Sequence, residues 1–208
     1  MKIALLVIEN RETVKKEYAK FLVKMAWERK VEEIRFWYET KPPIWYMRRE
    51  MIKDVLKETD CTHILFVDTD VIPKEGFLEK LIAHNVPLVS GVYYDMMGYP
   101  VNRKGGQPLF FSQKGLLAVD TFAMGLSLIR RDVLEKVEYP LPVAPQIADA
   151  DIEFCRKARE AGYKVFCDFG IQAYHILSIP IDHKFMSIRI NEIIENRMRD
   201  RNNLDYFE

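Results

Sequence analysis

The sequence lacks the features that mark several large classes of protein. Three of its 208 residues are cysteines and none forms a CxxC pair, so a reducing compartment is the simplest expectation. No stretch approaches the roughly 20 apolar residues that a membrane helix needs. The formal net charge is zero, which gives no general argument for binding nucleic acid or an acidic membrane. We therefore expect a cytoplasmic protein without a nucleic-acid partner.

The N-terminal apolar run has no small-residue cleavage site behind it, so we interpret Lys2–Ile8 as a first strand and not as a signal peptide. Charged residues make up 30% of the chain, glutamine is scarce, and this bias hints at a thermophile. A chain of 208 residues fits one domain with a tail.

Strand-like and helix-like segments alternate through the first half of the chain. The strand-like segments are KIALLVI, EIRFWYE, THILFVD and VPLVSGVYY, and helical spacing of apolar residues covers 13–29, 47–58 and 76–84. Alternation of this kind predicts an α/β fold with a largely parallel sheet. Further along, YKVFCDF and IQAYHI are interpreted as two short strands.

Residues 1–180 are expected to form one domain, and 181–208 a charged tail. The tail carries apolar residues at helical spacing, which predicts one amphipathic helix. Acidic residues interrupt its basic ones, so packing on the domain or pairing with a second copy as a homodimer is favoured over membrane binding.

The most informative stretch is HILFVDTDVIP, in which a continuous apolar run meets Asp68, Thr69 and Asp70. A continuous run predicts a strand buried on both faces, and ligands of open α/β sheets bind beyond the carboxyl ends of such strands. Two carboxylates there suit Mg²⁺ or Mn²⁺, with phosphate oxygens or water as further ligands. The alternative is a turn, or a cap on the helix that follows Pro73.

Two other places carry residues capable of chemistry. Asp149, Asp151 and Glu153 precede or begin an amphipathic helix, where acids are favourable for the helix dipole alone, or where one of them acts as a general base. His175 follows a strand-like segment and is either a structural histidine or a third ligand for a metal ion.

The order of these pieces resembles the metal-dependent glycosyltransferases of the GT-A fold, most closely their family 2-like branch. The stretches that carry the resemblance run from Thr62 to Ile176: THILFVDTDVIPKEGFLEKLI, VSGVYY, AVDTFAMGLSLIRRDVLEKV, DADIEFCRKAREAGYKVFCDF and AYHI. The resemblance implies a Rossmann-like, mixed and mostly parallel sheet flanked by helices.

The resemblance also implies a donor side of the site. Asp68 and Asp70 match the DxD pair that binds the donor ribose and the metal, with Thr69 between them, and His175 matches the histidine that completes the metal site. Arg48 or Arg49 lies near an Arg-Asn pair that often precedes this strand, which implies an arginine that faces the nucleotide, although no asparagine follows either arginine. The alternative is that both arginines are solvated charges of the helix.

On the acceptor side, Asp151 falls on the acidic position that serves as general base in inverting members, and the branch that the chain resembles favours inversion. In a retaining enzyme Asp151 would instead orient the acceptor or stabilise positive charge on the sugar. Ala150 stands where the family usually has glutamate, so Asp149 is a rival for the acidic role. Gly125, next to Met124, matches the small residue near the sugar and the acceptor.

The expected function is therefore transfer of a sugar from a UDP- or GDP-sugar to a hydroxyl of a glycan, lipid or protein, with Mn²⁺ or Mg²⁺ as cofactor. A non-catalytic nucleotide-sugar binding module on the same fold is the alternative, which the change at Ala150 permits. A nucleotidyltransferase is less favoured, since it needs a glycine-rich loop after the first strand, and here that loop is ENRETVKK.

Overall fold

The structure is a computed structural model that describes residues 1–9, 15–28, 30–38, 43–94, 102–109, 113–140 and 150–176. The predicted tail helix at 181–208 lies outside the described residues. Among the helices of the described ranges, none combines the length and apolar character that a bilayer crossing requires.

Helices and strands alternate in the first half, as the apolar spacing predicts. The elements in chain order are β1 (Ile3–Glu9), α1 (Lys16–Trp27), β2 (Glu33–Tyr38), α2 (Ile44–Glu58), β3 (His63–Val67), β4 (Val71–Pro73), α3 (Phe77–Ala83), β5 (Leu88–Val92), β6 (Arg103–Lys104), β7 (Gln107–Pro108), β8 (Leu116–Val119), β9 (Leu126–Arg130), α4 (Arg131–Lys136), α5 (Ala150–Glu160) and β10 (Val165–His175). Strands β6 and β7 form a separate small hairpin.

The main sheet has the order β2-β1-β3-β9-β5-β10-β4, with β8 paired to β10. Strands β1, β2, β3, β5 and the first part of β10 point the same way, while β9, β8 and β4 run opposite to them. The sheet is therefore mixed and mostly parallel, as predicted. Because β9 is reversed between β3 and β5, its first residues lie at the edge where those two strands end.

The continuous apolar runs of β1 and β3 are explained by helices on both faces of the sheet. Alternate residues of β1 enter two separate cores, Leu6 with Met51 of α2 and Leu5 with Tyr18 of α1. Helices α2, α4 and α5 contribute to the first core, and α1 and α3 to the second. The described part of residues 1–176 thus has three layers, with the sheet in the middle.

Three details differ from the sequence-based expectations. The segments YKVFCDF and IQAYHI form one strand, β10, whose pairing with β5 shifts between Cys167 and Gln172. Helix α2 begins at Ile44 and not at Met47, directly after Pro43, whose fixed φ suits a helix start. Strand β4 is short and has no counterpart in the sequence-based expectations, because three residues give too little pattern for a strand prediction.

Strand β4 nevertheless matters for the site. A turn at Asp68–Val71, closed by a 2.9 Å hydrogen bond from the Val71 N–H to the Asp68 carbonyl, sends the chain back from β3 into β4. Strand β4 then pairs with the end of β10, with Val71 opposite His175. The DxD segment is thereby joined to a histidine more than a hundred residues later in the chain.

Helix α1 is tied to the end of β3 by Tyr18. Its ring is fully buried, and its hydroxyl donates a 2.6 Å hydrogen bond to the carbonyl of Val67, the residue before Asp68. Replacing this donor leaves a buried carbonyl with one fewer partner, which is costlier than losing an exposed hydrogen bond.

We expect Tyr18→Phe to lower the free energy of unfolding by about 1 kcal/mol, the ordinary cost of a lost buried hydrogen bond. Chemical denaturation measures it, with Tyr46→Phe as control because Tyr46 is exposed. Equal effects of the two substitutions would contradict a specific role for the Tyr18 hydroxyl.

Candidate functional site

The site is built where β3 ends and β9 begins. The N–H of Asp68, just after β3, donates to the carbonyl of Gly125, just before β9, at 3.0 Å. Tyr93 follows the end of β5 and is almost completely buried at the same edge. This is the edge at which the sequence predicted a ligand crevice.

A single buried arginine joins the two carboxylates that the sequence assigns to different halves of the site. Arg48 of α2 donates from Nη2 to Oδ1 of Asp68 at 2.6 Å and from Nη1 to Oδ1 of Asp151 at 2.9 Å. The Arg48 side chain is only 6% exposed, against 25% for Asp68 and 21% for Asp151. The carboxylates therefore line the accessible side of the cluster, and the cation lies behind them.

Asp151 has two further anchors. Its Oδ1 also accepts a 2.6 Å hydrogen bond from the hydroxyl of Tyr139, and its Oδ2 accepts a 2.9 Å hydrogen bond from the backbone N–H of Met124. Asp151 lies in the first turn of α5, where the helix dipole also favours a negative charge. The carboxylate is held in one orientation by three donors from three different segments.

Burial dominates the electrostatics of this cluster. Burial raises the pKa of Asp68 above its usual value, and Arg48 opposes that rise. For Arg48, burial acts to lower the pKa, but the charges of Asp68 and Asp151 outweigh it and hold the pKa well above its usual value. Burial also raises the pKa of Tyr93 and of Tyr139, and neighbouring carboxylates add to both shifts. Both tyrosines consequently stay neutral and able to donate.

Gly125 allows the cluster to pack closely. A Cβ atom at this position would lie 2.5 Å from Oδ2 of Asp68 and 2.5 Å from the Tyr93 hydroxyl oxygen, so no larger residue fits without a shift. The sequence-based expectation of a small residue here is thus explained by contacts within the protein.

Asp70 and His175 form a second group beside the first. His175 Nδ1 lies 2.7 Å from the carbonyl of Tyr94, so it carries the proton, and Nε2 faces Asp70 Oδ1 at 3.6 Å. The nearby carboxylate of Asp70 is the main cause that raises the pKa of His175 above its usual value. The His175 ring also packs edge-on against Tyr93, with 5.4 Å between ring centroids. A backbone carbonyl on Nδ1 is the arrangement that prepares Nε2 of a histidine to bind a metal.

The predicted three-residue metal set is not assembled as expected. In the part of the chain that the structure describes, no three histidine, cysteine, aspartate or glutamate side chains form a group that could hold a metal ion. The reason is physical: Asp68 Oδ1 binds the guanidinium of Arg48, while Asp70 faces His175. Asp70 and His175 remain as a pair that matches the oxygen and nitrogen ligands of Mn²⁺.

The other predicted site residues are placed as follows. Arg49 is not part of the cluster, since its Nε donates to exposed Glu138 at 3.0 Å. Thr69 is buried in the turn between β3 and β4. Met124 contributes its backbone N–H, while its side chain is in the core. Asp149 lies outside the described residues.

Two tyrosines of the site are not among the residues that the sequence predicts. Tyr139 follows α4 in a segment without any motif, and Tyr93 directly follows strand β5. The position of Tyr93 directly after a buried strand is the one signal that points to this edge.

The described residues have a fold of the GT-A type, with a mixed sheet flanked by helices in which β9 is reversed between β3 and β5.

Comparisons with solved structures give two similar molecules. Protein A197 from STIV superposes with a TM-score of 0.67 at 20% sequence identity, covering 86% of this chain and 87% of that chain. GalNAc-T7, in a crystal structure with UDP, GalNAc and Mn²⁺, superposes with a TM-score of 0.54 at 11% identity, covering 86% of this chain and 44% of that chain. No protein-family model matches the chain, and no curated protein matches it in sequence.

We expect Gly125→Ala to destabilise the protein by about 1–3 kcal/mol, the usual cost of forcing an extra carbon into a packed site. Thermal unfolding measures the change. Removing one obstructing atom with Tyr93→Phe should make the alanine less harmful, so the double variant should lose less than the sum of the two single losses. Simple addition of the losses would contradict the close packing around Gly125.

Proposed function

We propose that this protein is a metal-dependent glycosyltransferase that moves a sugar from a UDP- or GDP-sugar to an acceptor hydroxyl. The observation that carries the proposal is the arrangement of Asp151, a carboxylate held by Arg48, Tyr139 and the Met124 N–H beside the Asp70–His175 pair. The likeness in fold to GalNAc-T7, whose structure contains UDP, GalNAc and Mn²⁺, supports it.

In this proposal Asp151 is the general base of an inverting reaction. Oδ1 accepts hydrogen bonds from Arg48 and Tyr139, whereas Oδ2 accepts one from the Met124 N–H and has a lone pair to spare. Oδ2 of Asp151 takes the proton of the acceptor hydroxyl while the hydroxyl oxygen forms a bond to the anomeric carbon of the sugar. The bond between this carbon and the nucleoside diphosphate breaks in the same step.

The donor side would use the Asp70–His175 pair. Asp70 and Nε2 of His175 would hold a divalent cation together with diphosphate oxygens and water, since two protein ligands are common for such ions. The ion would stabilise the charge of the leaving diphosphate as a Lewis acid. Asp68, turned towards Arg48, would contact the donor and not the metal.

A panel of UDP- and GDP-sugars tests the function, with Mn²⁺, Mg²⁺ or a chelator added and the released nucleoside diphosphate measured. We expect release from one donor that requires the metal and is lost in Asp70→Ala. Metal-dependent binding of UDP or GDP without release, even with a range of acceptors, would favour the non-catalytic binding module.

We expect Asp151→Asn to lower the rate of transfer by about 10²–10⁴-fold, the usual contribution of a general base, while donor binding is kept. The matched control is Asp149→Asn, which changes the rival acid two residues earlier. Loss of transfer in Asp149→Asn with normal transfer in Asp151→Asn would reverse the assignment.

The pH dependence of Mn²⁺ binding tests the role of His175. A protonated imidazole cannot bind a metal, so affinity should fall as the pH drops through the His175 pKa, which is raised above 6.5 by Asp70. Titration calorimetry at several pH values measures it. His175→Asn should remove Mn²⁺ binding, whereas His63→Asn, which changes the first residue of β3, should not. Binding that survives in His175→Asn would exclude this histidine as a ligand.

A further inference from the structure

Arg48 belongs to a closed ring of hydrogen bonds. Its two terminal nitrogens hold Asp68 and Asp151, the N–H of Asp68 donates to the Gly125 carbonyl, and the N–H of Met124 donates to Asp151. Met124 and Gly125 are consecutive, so the peptide bond between them closes the ring. The ring connects α2, the end of β3, the start of β9 and the start of α5.

Burial leaves Arg48 little capacity to bind a nucleotide, which is the role that the GT-A resemblance implies for Arg48 or Arg49. Both terminal nitrogens are engaged by carboxylates, and the side chain is 6% exposed. Its Nε is buried and has no hydrogen-bond partner in the described ranges, so the hydrogen bonds that compensate for its charge there come through the two terminal nitrogens. Removing one of these carboxylates would strongly destabilise the folded protein, because the buried charge of Arg48 would lose a partner.

The ring also explains why position 48 carries an arginine and not a lysine. A guanidinium presents separate donors in a rigid fork, so it holds two carboxylates at a set distance, whereas a lysine ammonium is a single point charge on a flexible stem. Without the cation Asp68 and Asp151 would repel each other, because two carboxylates would share one partly buried edge.

We infer that Arg48 is a positioning residue that sets the distance and orientation between Asp68 and Asp151, so that the donor side and the base form one rigid unit. The inference rests on the proposed function for the roles of the two carboxylates. Arg48 itself touches neither the donor nor the acceptor: it acts through the two aspartates.

The kinetic test compares Arg48→Lys and Arg48→Met with the wild-type protein on the donor that the wild type uses. Displacing the general base Asp151 by about 1 Å should lower kcat on the order of 100-fold. We expect both variants to show that loss, while binding of free UDP or GDP falls by a smaller factor through the displaced Asp68. Arg156→Met is the matched control, because Arg156 also contacts two carboxylates, Glu153 and Glu160, but on the exposed surface of α5. It should keep the wild-type kcat.

Two kinetic outcomes would overturn the inference. Arg48→Lys with the wild-type kcat would mean that charge alone suffices and that the fork has no positioning role. Weaker binding of UDP or GDP with an unchanged kcat would mean that Arg48 is a nucleotide ligand after all.

A second measurement needs no activity, so it separates this inference from the proposed function. Asp68→Asn and Asp151→Asn are unfolded thermally, once with Arg48 and once with Arg48→Met. With Arg48 present, each substitution removes a partner of the buried cation and should lower the melting temperature. In the Arg48→Met background each substitution removes only repulsion between the two aspartates, so the melting temperature should stay the same or rise.

The two failures are distinguishable. A wild-type protein that releases no nucleoside diphosphate from any donor contradicts the proposed function, and the unfolding comparison still judges the ring. Asparagine substitutions that lower the melting temperature equally with Arg48 and with Arg48→Met contradict the ring, whatever the protein catalyses.

Discussion

The charge of one buried arginine constrains the whole site. Moving a guanidinium out of water is unfavourable unless carboxylates and hydrogen bonds compensate for the lost hydration. Arg48 meets this requirement with Asp68 and Asp151, which come from the end of β3 and the start of α5. Since α2, β3 and α5 must all bring their residues to one point, their packing cannot vary independently. The buried charge of Arg48 is therefore what holds Asp68 and Asp151 together at the accessible edge of the sheet.

The reversed strand β9 brings the rest of the site to the same place. Running antiparallel between β3 and β5, it begins where they end, so the Met124 and Gly125 backbone lies against Asp68 and Asp151. Gly125 permits the contact because a side chain there would collide with Asp68 and Tyr93. The reversed direction of β9 and the lack of a side chain at Gly125 therefore together allow this backbone to approach the two aspartates.

The turn after β3 adds the second group. It leads into β4, whose pairing with β10 places Asp70 next to His175. The Tyr94 carbonyl holds Nδ1 of His175 and leaves Nε2 towards Asp70. Tyr93 contacts both groups, with its ring on His175 and its hydroxyl near Asp68 and Gly125. The cluster around Arg48 and the Asp70–His175 pair are therefore connected by packing against Tyr93 as well as by the short segment from Asp68 to Asp70.

Much of this is predictable from local pattern. Buried strands β1 and β3 appear as continuous apolar runs, the aspartates mark the edge of the sheet, and the order of motifs indicates the GT-A type of fold. The choice between Arg48 and Arg49 is not predictable, because adjacent residues of one helix differ by about 100° in direction and only packing decides which is buried. Tyr139 carries no motif, and the single strand β10 is hidden by the irregular pairing between Cys167 and Gln172.

The sequence by itself determined the α/β class with a largely parallel sheet and the position of Asp68 and Asp70 at a strand end, because these depend on neighbours along the chain. Tertiary structure alone decided that Asp68 pairs with Arg48 while Asp70 pairs with His175, and that Tyr139 supports Asp151. Those pairings depend on distances between segments up to about a hundred residues apart, and such distances follow from packing and desolvation rather than from local propensity.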